Sequence, residues 1–467
     1  MRVLIVNAHD RGGGAERCVR DLVRSLRDRG HTALLAVGHR SVAAEGTIPL
    51  TVQGRAPGGG SLPDRADGLA RRLRLSTRTR ERLRTLAGNP GNTARSLVGR
   101  DDFVYPTLEC LDPILREHAI DVVHLHNLHD RYFDLRALPG LCARLPVVLT
   151  PHDAWLTTGH CAHSFDCERW TRGCGRCPYL GTPPAIRRDA TARNLSFRAG
   201  IFRSSSLHLV APSRWLLDRF ERSVARPGLR SARVIHNGID TDVFAPGDRD
   251  RARRELGLPP DRTILLFAAN LAGANPFKDY ASLSAALERL GRRPRERPIL
   301  LVMLGGDAGG SSPEIRGVET ASLPFVHDDA QLVRYIRAAD IFVHPSRADT
   351  FPYTVLESMA CGTPVIASRV GGIPEQITHE HDGLLVEPGD AASLAGAIDR
   401  LAHDAGLRRR LGERGVCAVR DRFALSGAVD AYEALYRETT GAPLAAAGSP
   451  PAAPASPASG VSARAPA

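Results

Sequence analysis

Short apolar segments alternate with helical patterns along both halves of the chain, and this alternation limits the fold more than any other feature. The first half contains "RVLIVNA", "TALLAVG", "DVVHLH" and "PVVLTPHD", and the second half contains "TILLFAAN", "PILLVMLGG", "SLPFVH", "DIFVHPS" and "TPVIAS". Continuous apolar strands separated by helices indicate a parallel sheet covered on both faces. At 467 residues the chain is also too long for one core. The sequence predicts an α/β protein with two doubly wound, Rossmann-like domains facing across a cleft.

The limits of the predicted parts follow from this repeat and from local composition. The last segment is rich in Ala, Pro, Ser and Gly and has no aromatic residue, so we expect it to be disordered. We predict a first domain at residues 1–225, which includes an Arg-rich segment at 64–100 and a Cys-rich insert at 159–180. A second domain follows at residues 226–420. After it we expect a C-terminal helix at 421–440, which could cross back to the first domain, and a disordered tail at 441–467.

The positive charge of the chain is concentrated in one segment. The formal net charge is +11, and residues 64–100 carry ten arginines against three acidic residues. With leucines among the arginines, the segment reads either as a basic amphipathic helix pair resting on an anionic membrane or as a solvated helical face. Interleaved aromatics are lacking, so we do not expect nucleic acid as a partner.

The apolar segments and the start of the chain bear on its location. No stretch reaches the ~18 to 20 apolar residues that cross a bilayer. The start, "MRVLIVNAHD", reads as a strand rather than as a secretory signal. We therefore expect a cytoplasmic location, with the inner face of the cell membrane as an option.

A glycine-rich loop follows the first predicted strand. In "NAHDRGGGAE" three glycines stand between that strand and a helix. Ligands of open α/β sheets bind at the carboxyl ends of strands, where glycine lets the backbone approach a phosphate. Gly13 and Gly14 are therefore candidate donor-binding residues, and an unliganded loop is the alternative. The spacing is not G-x-G-x-x-G, so a dinucleotide site is not indicated.

The most specific stretch, Val343 to Ile377, is "VHPSRADTFPYTVLESMACGTPVIASRVGGIPEQI". A strand leads into a loop with Asp349, and we expect a helix from near Thr354 with Glu357 in its first turn. This D-x7-E pattern resembles the E-x7-E motif of family-four retaining glycosyltransferases, which have the GT-B fold. The resemblance also covers "GGAE", "DVVHLHN", "TPHD", "VIHNGIDTDVF" and "NPFKDY".

This resemblance implies a role for each matched residue of the second domain. Lys278, the only lysine among 62 basic residues, matches a lysine aimed at the donor diphosphate. A compact ammonium can follow charge that builds on a leaving phosphate, whereas a planar guanidinium needs a fixed bidentate partner. Glu357 matches an acid that accepts hydrogen bonds from the nucleotide ribose, and Asp349 would contact the donor sugar. Further donor-binding candidates in the same loop are Phe351, Tyr353 and Thr354.

The sequence departs from the family pattern at two positions. Pro352 replaces a glycine and lacks the N–H that could contact phosphate or sugar. In "NLAGANPFK", Asn270 stands near the place of the usual phosphate-contacting arginine. The second phosphate donor is therefore Asn270, Asn275 or a distant arginine, and the sequence leaves these alternatives open.

Polar residues of the first domain complete the predicted site. His152, in "LTPHDAW", matches a histidine that reaches across the cleft to hold a sugar hydroxyl or share the acceptor proton. His126, Asn127 and Asp130 are candidates for the acceptor side. We interpret His344, which precedes a proline, as packing at the edge of the core.

Four of the nine cysteines are clustered in "CAHSFDCERWTRGCGRC". The spacing C-x5-C-x6-C-x2-C suits a structural zinc in a reducing compartment. Reduced, unbound thiols are the alternative, and His160 or His163 could replace one sulfur. The resemblance implies a reaction that needs no metal ion. The candidate ligands are Cys161, Cys167, Cys174 and Cys177.

These observations lead to one main functional prediction. The chain is predicted to be a retaining glycosyltransferase that moves a sugar from a nucleotide-sugar donor to a hydroxyl acceptor, such as a sugar or lipid-linked saccharide, in polysaccharide or glycolipid synthesis. The alternatives are another cleft enzyme of this architecture, such as a nucleotide-sugar epimerase or a phosphorylase, and a non-catalytic binding module. The base, the sugar and the acceptor stay open.

Overall fold

The computed structural model describes residues 1–41, 46–50, 89–269, 275–292, 294–306 and 314–441. Three sequence predictions therefore lie outside the described residues: the Arg-rich segment up to residue 88, Asn270, and the disordered tail beyond residue 441. Within the described part, no helix is long and apolar enough to cross a membrane.

The first domain is built on a parallel sheet of seven strands in the order β3-β2-β1-β4-β5-β6-β7. Its strands are β1 (Arg2–His9), β2 (Thr32–His39), β3 (Thr47–Pro49), β4 (Val122–Leu125), β5 (Val147–Leu149), β6 (Leu207–Ala211) and β7 (Leu229–Val234). Its helices are α1 (Gly14–Asp28), α2 (Pro90–Leu97), α3 (Thr107–Glu117), α4 (Ala137–Cys142), α5 (Thr191–Arg203) and α6 (Arg214–Glu221).

The second domain has a parallel sheet of six strands in the order β10-β9-β8-β11-β12-β13. Its strands are β8 (Thr263–Ala268), β9 (Ile299–Leu304), β10 (Glu319–Leu323), β11 (Ile341–His344), β12 (Val365–Ser368) and β13 (Leu384–Val386). Its helices are α7 (Arg249–Leu256), α8 (Tyr280–Gly291), α9 (Asp329–Ala338), α10 (Tyr353–Ala360), α11 (Ile373–Gln376), α12 (Ala391–His403) and α13 (Ala405–Arg422).

Both sheets are covered on both faces, as continuous apolar strands predict. Along β1, Leu4 and Val6 pack in one cluster while Val3 and Ile5 pack in the cluster on the opposite face. Strand β8 divides its side chains between two clusters of the second domain in the same way. All these positions are buried, so neither sheet has a solvent-facing side at its centre.

One strand prediction was displaced along the chain. The segment "SLPFVH" was expected as a strand, but β10 ends at Leu323, one residue before Pro324. Proline has no N–H for the ladder, so pairing with β9 stops there and the following residues form a loop. Four strands, β3, β6, β7 and β13, were not predicted, because β3, β6 and β13 have only three to five residues and β7 is largely polar.

The last helix, α14 (Leu425–Thr440), packs on the first domain. The chain returns beside the outgoing crossover, where the amide of Ile239 donates to Phe423 and the amide of Leu425 donates back to Ile239. Side chains of α14 then join the core on one face of the first sheet, and the Tyr436 hydroxyl lies 2.6 Å from His124 Nδ1. The helix therefore ties the end of the described chain to the first strand.

Candidate active site

A cavity of about 770 Å³ lies between the two domains, at the carboxyl ends of β1, β4 and β5 on one side and β8 and β11 on the other. The sequence-predicted site residues that line it are Gly13, Gly14, Asn127, Asp130, His152, Asn275, Lys278, Asp349, Phe351, Tyr353, Thr354 and Glu357. Residues that are far apart in the sequence thus meet at the carboxyl ends of the strands, where open α/β sheets bind their ligands.

The position of Lys278 is fixed by backbone pairing. Residues 277–279 run antiparallel to residues 345–347: Lys278 forms a bridge with Ser346, the amide of Asp279 donates to Pro345 at 2.9 Å, and the amide of Arg347 donates to Phe277 at 2.9 Å. This pairing joins the loop after β8 to the loop after β11. The Lys278 side chain therefore falls beside the loop that carries Asp349.

The ammonium of Lys278 lies in a small polar cluster with Asp349 and His344. Lys278 Nζ donates to Asp349 Oδ2 and lies 3.1 Å from His344 Nε2, which is itself 3.0 Å from Asp349 Oδ2. Burial would raise the pKa of Asp349, but the charge of Lys278 and the hydrogen bond from His344 outweigh it and lower the pKa. Asp349 is therefore a firmly ionised carboxylate.

His344 corrects one interpretation made from the sequence. We expected it to pack at the core edge, and its side chain is indeed only 1% exposed. Its ring nitrogens, however, face polar partners: Nε2 contacts Lys278 and Asp349, and Nδ1 lies 3.4 Å from the hydroxyl of Thr354. Burial and the charge of Lys278 lower its pKa to about 4, so the ring is neutral near pH 7. His344 belongs to the site.

Two glycines of "GGIPEQI" allow the Asp349 loop to close. Gly371 has φ +56°, and a Cβ there would lie 1.7 Å from the carbonyl oxygen of Asp349. A Cβ at Gly372 would lie 2.1 Å from the carbonyl oxygen of Thr350. Only glycine fits backbone segments that approach this closely. The loop after β12 therefore holds the loop that carries Asp349.

Glu357 lies just beyond the first turn of its helix, about one residue further in than the sequence indicated. Helix α10 begins at Tyr353, and its first turn has no acidic residue. The Glu357 side chain is 2% exposed, its Oε1 lies 3.2 Å from Arg17 Nε, and its Oε2 has no hydrogen-bond partner within the described residues. Burial raises the pKa of Glu357 to about 7, with Arg17 opposing the shift and Asp329 and Asp21 adding to it. This position does not fit an acid whose only role is to offset the dipole of the helix.

The glycine-rich loop leads into α1 opposite this carboxylate. The amide of Gly13 donates to Glu16 Oε2 at 2.8 Å, so contact between Gly13 and a phosphate would require Glu16 to move. Gly14 faces the second domain, and a Cβ there would lie 3.0 Å from the Tyr353 ring. The glycine at position 14 thus lets α1 approach α10 across the cleft.

Among the first-domain candidates, His126 does not line the cavity. It is fully buried behind His152, with its Nδ1 3.0 Å from His152 Nε2 and the two rings stacked. Burial lowers the pKa of both residues, to about 4 for His152, so both rings are neutral near pH 7. The acceptor-side prediction placed His126 at the cleft, but its ring lies behind His152, with the ring of His124 on another side at 4.3 Å.

A charged group that the sequence did not reveal stands next to His152. His129 Nε2 lies 2.9 Å from Asp153 Oδ2, and its Nδ1 lies 3.2 Å from Asp130 Oδ1. Burial would lower the pKa of His129, but Asp153 and Asp130 raise it to about 10. An imidazolium between two carboxylates therefore lines the first-domain side of the cavity, together with Asn127, whose Oδ1 accepts from the amide of His152 at 3.3 Å.

The loop before Lys278 leaves the second phosphate contact open. Asn275 Oδ1 accepts from the amide of Phe277 at 3.0 Å, so this oxygen shapes the turn. Pro352, the other departure from the family pattern, is buried at the start of α10, and its carbonyl accepts from Gln376 Nε2 at 3.0 Å. Arg11 of the glycine-rich loop also lines the cavity, so it is a candidate for the distant arginine that the sequence left open as the second phosphate contact.

The clustered cysteines surround a separate small cavity of about 10 Å³ together with His160, whose Nε2 lies 3.4 Å from Cys177 Sγ. In the described part of the chain, no three His, Cys, Asp or Glu side chains are grouped as a metal ion would require. Burial raises the pKa of Cys161 and Cys177, and that of Cys174 to about 11. Zinc at this insert stays a prediction.

The insert also contacts the second domain beside Lys278. The ring of His163 lies 5.0 Å from that of Phe277 in an edge-to-face arrangement, and the ring of Phe165 lies 6.1 Å from it. Phe165 has φ +47°, an unusual backbone conformation for a residue with a side chain. The insert therefore reaches across the cleft at the residue that precedes Lys278, and His163 lies in the cleft rather than among the cysteines.

Two family models match the chain, and together they cover nearly all of the two domains. The model described as "Glycosyltransferase Family 4" matches residues 12–243, and the one described as "Glycosyl transferases group 1" matches residues 248–416. Their border falls in the crossover between the two sheets. Each model therefore corresponds to one of the two domains.

Curated relatives match a shorter stretch. A D-inositol 3-phosphate glycosyltransferase of Acidothermus cellulolyticus is 39% identical over 219 residues, which is 44% of this chain and 48% of that protein. One of Mycobacterium tuberculosis is 33% identical over 239 residues, 48% of each chain. The chain thus spans about half the length of these relatives.

Solved structures share the whole architecture. Sucrose-phosphate synthase from Thermosynechococcus elongatus has a TM-score of 0.65 at 21% identity, over 95% of this chain and 100% of that one. HepE of Anabaena, in complex with UDP and glucose, has a TM-score of 0.60 at 18% identity, over 93% and 99%. At these identities the likeness shows the fold, and it confirms the prediction of two doubly wound domains facing across a cleft.

Proposed function

The chain belongs to the group 1 and family 4 glycosyltransferases, and its fold is GT-B. We propose that it transfers a sugar from a nucleotide-sugar donor with retention at the anomeric carbon. The observation that carries this proposal is that Lys278 and Glu357 line one cavity. A nucleotide sugar offers a diphosphate to an ammonium and a ribose diol to a carboxylate. The two side chains have the chemistry to bind these two parts of one donor.

Lys278 is suited to stabilise the leaving group. It is held by backbone pairing beside Asp349, and its ammonium has three donors, so it can keep its hydrogen bond to Asp349 and still donate to a diphosphate. Negative charge grows on the diphosphate as the glycosidic bond breaks, and a fixed cation in a closed cleft stabilises that charge. Arg11 of the glycine-rich loop is the proposed second cation, in place of the family arginine.

The proposed reaction needs no pair of catalytic carboxylates on either side of the sugar. The bond between the anomeric carbon and the diphosphate oxygen breaks, and the acceptor oxygen bonds to the same face of that carbon. The acceptor proton passes to the departing diphosphate. Asp349, whose carboxylate is ionised, would accept hydrogen bonds from hydroxyls of the donor sugar, and no metal ion is required for these steps.

The first-domain side of the cavity is the proposed acceptor side. His152 is neutral, so it can accept or donate a hydrogen bond to a sugar hydroxyl. Next to it, the His129 imidazolium with Asp130 and Asp153 offers both charge signs to a polyhydroxyl acceptor. The curated relatives are named for D-inositol 3-phosphate, which makes that compound one acceptor to test.

The proposals for the biosynthetic pathway and the cellular location of the protein are based on its sequence alone. We propose that the acceptor is a sugar or lipid-linked saccharide of a cell-surface polysaccharide or glycolipid. Contact of the Arg-rich segment with an anionic membrane, at its cytoplasmic face, is part of the same proposal, and residues 64–88 of that segment lie outside the described residues.

Donor hydrolysis tests the proposal without knowledge of the acceptor. Purified protein is incubated with UDP-, GDP- and ADP-sugars, starting with UDP-glucose because UDP is bound in the HepE structure. We expect slow release of one nucleoside diphosphate and of a sugar that initially keeps the anomeric configuration of the donor, seen by NMR. Glu357→Gln should raise the KM for that donor about tenfold, because a hydrogen bond to a charged group contributes about 1.5 to 3 kcal/mol.

A surface carboxylate provides the matched control. Glu387→Gln removes an exposed acid of the same domain that pairs only with Arg369 in the described structure, and it should leave the KM unchanged. Binding of a nucleotide sugar without hydrolysis would favour a non-catalytic module, and absence of both binding and hydrolysis with all three nucleotide classes would contradict the proposal. An inverted product would contradict the retaining mechanism.

A further inference from the structure

An arginine of the first domain reaches across the cleft to the carboxylate that we assign to the ribose. Arg17 lies on α1, one turn after the glycine-rich loop, and its side chain is 13% exposed. Its Nε lies 3.2 Å from Glu357 Oε1, its Nη2 donates to Asp329 at the start of α9, and its guanidinium lies 5.1 Å from the centre of the Phe244 ring. Three contacts with the second half of the chain therefore fix one guanidinium.

The two oxygens of Glu357 have different surroundings. Oε1 faces Arg17, whereas Oε2 has no hydrogen-bond partner within the described residues, although Glu357 lines the cavity. A buried polar atom without a partner is costly, and such atoms are often ligand sites. The ion pair thus occupies one oxygen and leaves the other for a hydroxyl of the donor.

The charged groups around Glu357 come from both domains. Helix α1 supplies Arg17, Arg20 and Asp21, and α9 supplies Asp329. The thiol of Cys361 is a further neighbour, and burial raises its pKa, so it is neutral. Among these groups, only Arg17 is within ion-pair distance of the carboxylate in the described structure. Without Arg17, the charged groups that remain near Glu357 are the carboxylates of Asp329 and Asp21 and the guanidinium of Arg20.

We propose that Arg17 is a positioning residue for the donor nucleotide: it favours the ionised form of Glu357, leaves one oxygen for the ribose, and makes donor binding depend on contact between the two domains. This inference rests on the proposed function, because it assigns the ribose to Glu357. Arg17 itself acts through Glu357 and needs no contact with the sugar that is transferred.

The expected signature is a KM for the donor that depends on pH. The pKa of Glu357 is raised to about 7, so loss of the adjacent cation raises it further. At pH 7 most of the carboxyl groups would then be protonated and poor acceptors for two ribose hydroxyls. At pH 9 the carboxylate would form again. Removal of Arg17 should therefore weaken donor binding at neutral pH and much less at alkaline pH.

The experiment measures kcat and KM for donor hydrolysis between pH 6 and pH 9 in wild-type protein, Arg17→Met and Arg17→Gln. We expect KM to rise about fivefold at pH 7 and to stay close to the wild-type value at pH 9 in both variants, as an upward shift of about one pKa unit predicts, while kcat changes less than threefold. Arg17→Lys, which keeps a cation, should return KM towards the wild-type value. In a Glu357→Gln background, Arg17→Met should have no pH-dependent effect.

Arg24 provides the matched control. It lies on the same helix and also joins the two parts of the chain, through an ion pair of 2.9 Å with Asp240, but it does not contact Glu357 or line the cavity. Arg24→Met removes the same charge from the same helix, and the donor KM should keep its wild-type pH profile. A general loss of interdomain attraction would instead affect Arg17→Met and Arg24→Met alike.

Two results would overturn the inference. One is a wild-type KM in both Arg17→Met and Arg17→Gln at every pH, and the other is a raised KM that does not fall towards pH 9, which would indicate a purely structural role. Failure of the proposed function has a different signature: wild-type protein would neither bind nor hydrolyse any of the nucleotide sugars. The two failures are therefore distinguishable in one data set.

Discussion

Replacement of Lys278 by methionine is expected to lower kcat/KM for the donor by about 100-fold or more, with most of the loss in kcat. The ammonium lies in a largely buried cluster with Asp349 and His344, where it can meet charge that develops on the diphosphate. Loss of one fixed donor to a developing oxyanion costs about 10²- to 10³-fold in other enzymes. The measurement is steady-state donor hydrolysis, combined with transfer once an acceptor is known.

Lys278→Arg separates charge from shape at this position. The side chain is 15% exposed and has two close neighbours, so a planar guanidinium is not expected to reproduce its geometry. We expect less than one tenth of wild-type kcat. Arg369→Met, which removes a cation paired with Glu387 on the surface of the same domain, is the control and should keep full activity. Unchanged kinetics in Lys278→Met would refute the role that we assign to this lysine.

Replacement of Arg198 by methionine is expected to destabilise the protein by about 3–5 kcal/mol, the usual cost of breaking a buried ion pair from one side. Arg198, on α5, is fully buried. Its guanidinium donates to the carbonyls of Trp155 and Thr158 and to Asp101, and it lies 4.0 Å from the centre of the Trp155 ring. These bonds fix the segment that links His152 to the Cys-rich insert. Urea unfolding measures the loss.

A double variant tests the reason for this loss. Burial raises the pKa of Asp101 to about 6, and Arg198→Met leaves that carboxylate without its cation. Replacing both residues, as Arg198→Met with Asp101→Leu, should recover at least half of the lost stability. Arg193→Met, an exposed position on the same helix, should change the free energy of unfolding by less than about 0.5 kcal/mol. A loss in Arg193→Met as large as in Arg198→Met would contradict this account.

The meeting of Lys278 and Asp349 could be predicted from the sequence because it follows from topology. Each residue comes shortly after an apolar strand, and β8 and β11 are neighbours in the sheet. Glu357 follows Asp349 by a fixed spacing in the same motif. Parallel strands bring such loops to one edge whatever the details of packing.

The residues that the sequence did not reveal depend on packing between elements. Arg17 is one of several arginines on α1, and only the approach of that helix to α10 gives it Glu357 as a partner. His344 ends a buried strand, so its sequence context indicates packing, and its polar contacts come from the loops on either side. His126 lies behind His152 rather than at the cleft, and the rings of His124 and His152 that cover it are not visible in a local pattern.

The most direct test of the central claim is a crystal structure of this protein in complex with UDP. We predict that the diphosphate contacts Lys278 Nζ and that a ribose hydroxyl donates to Glu357, with the glycine-rich loop on the opposite side of the nucleotide. UDP bound outside the cleft, or bound in it with the ribose at Lys278 and the diphosphate away from it, would contradict the account.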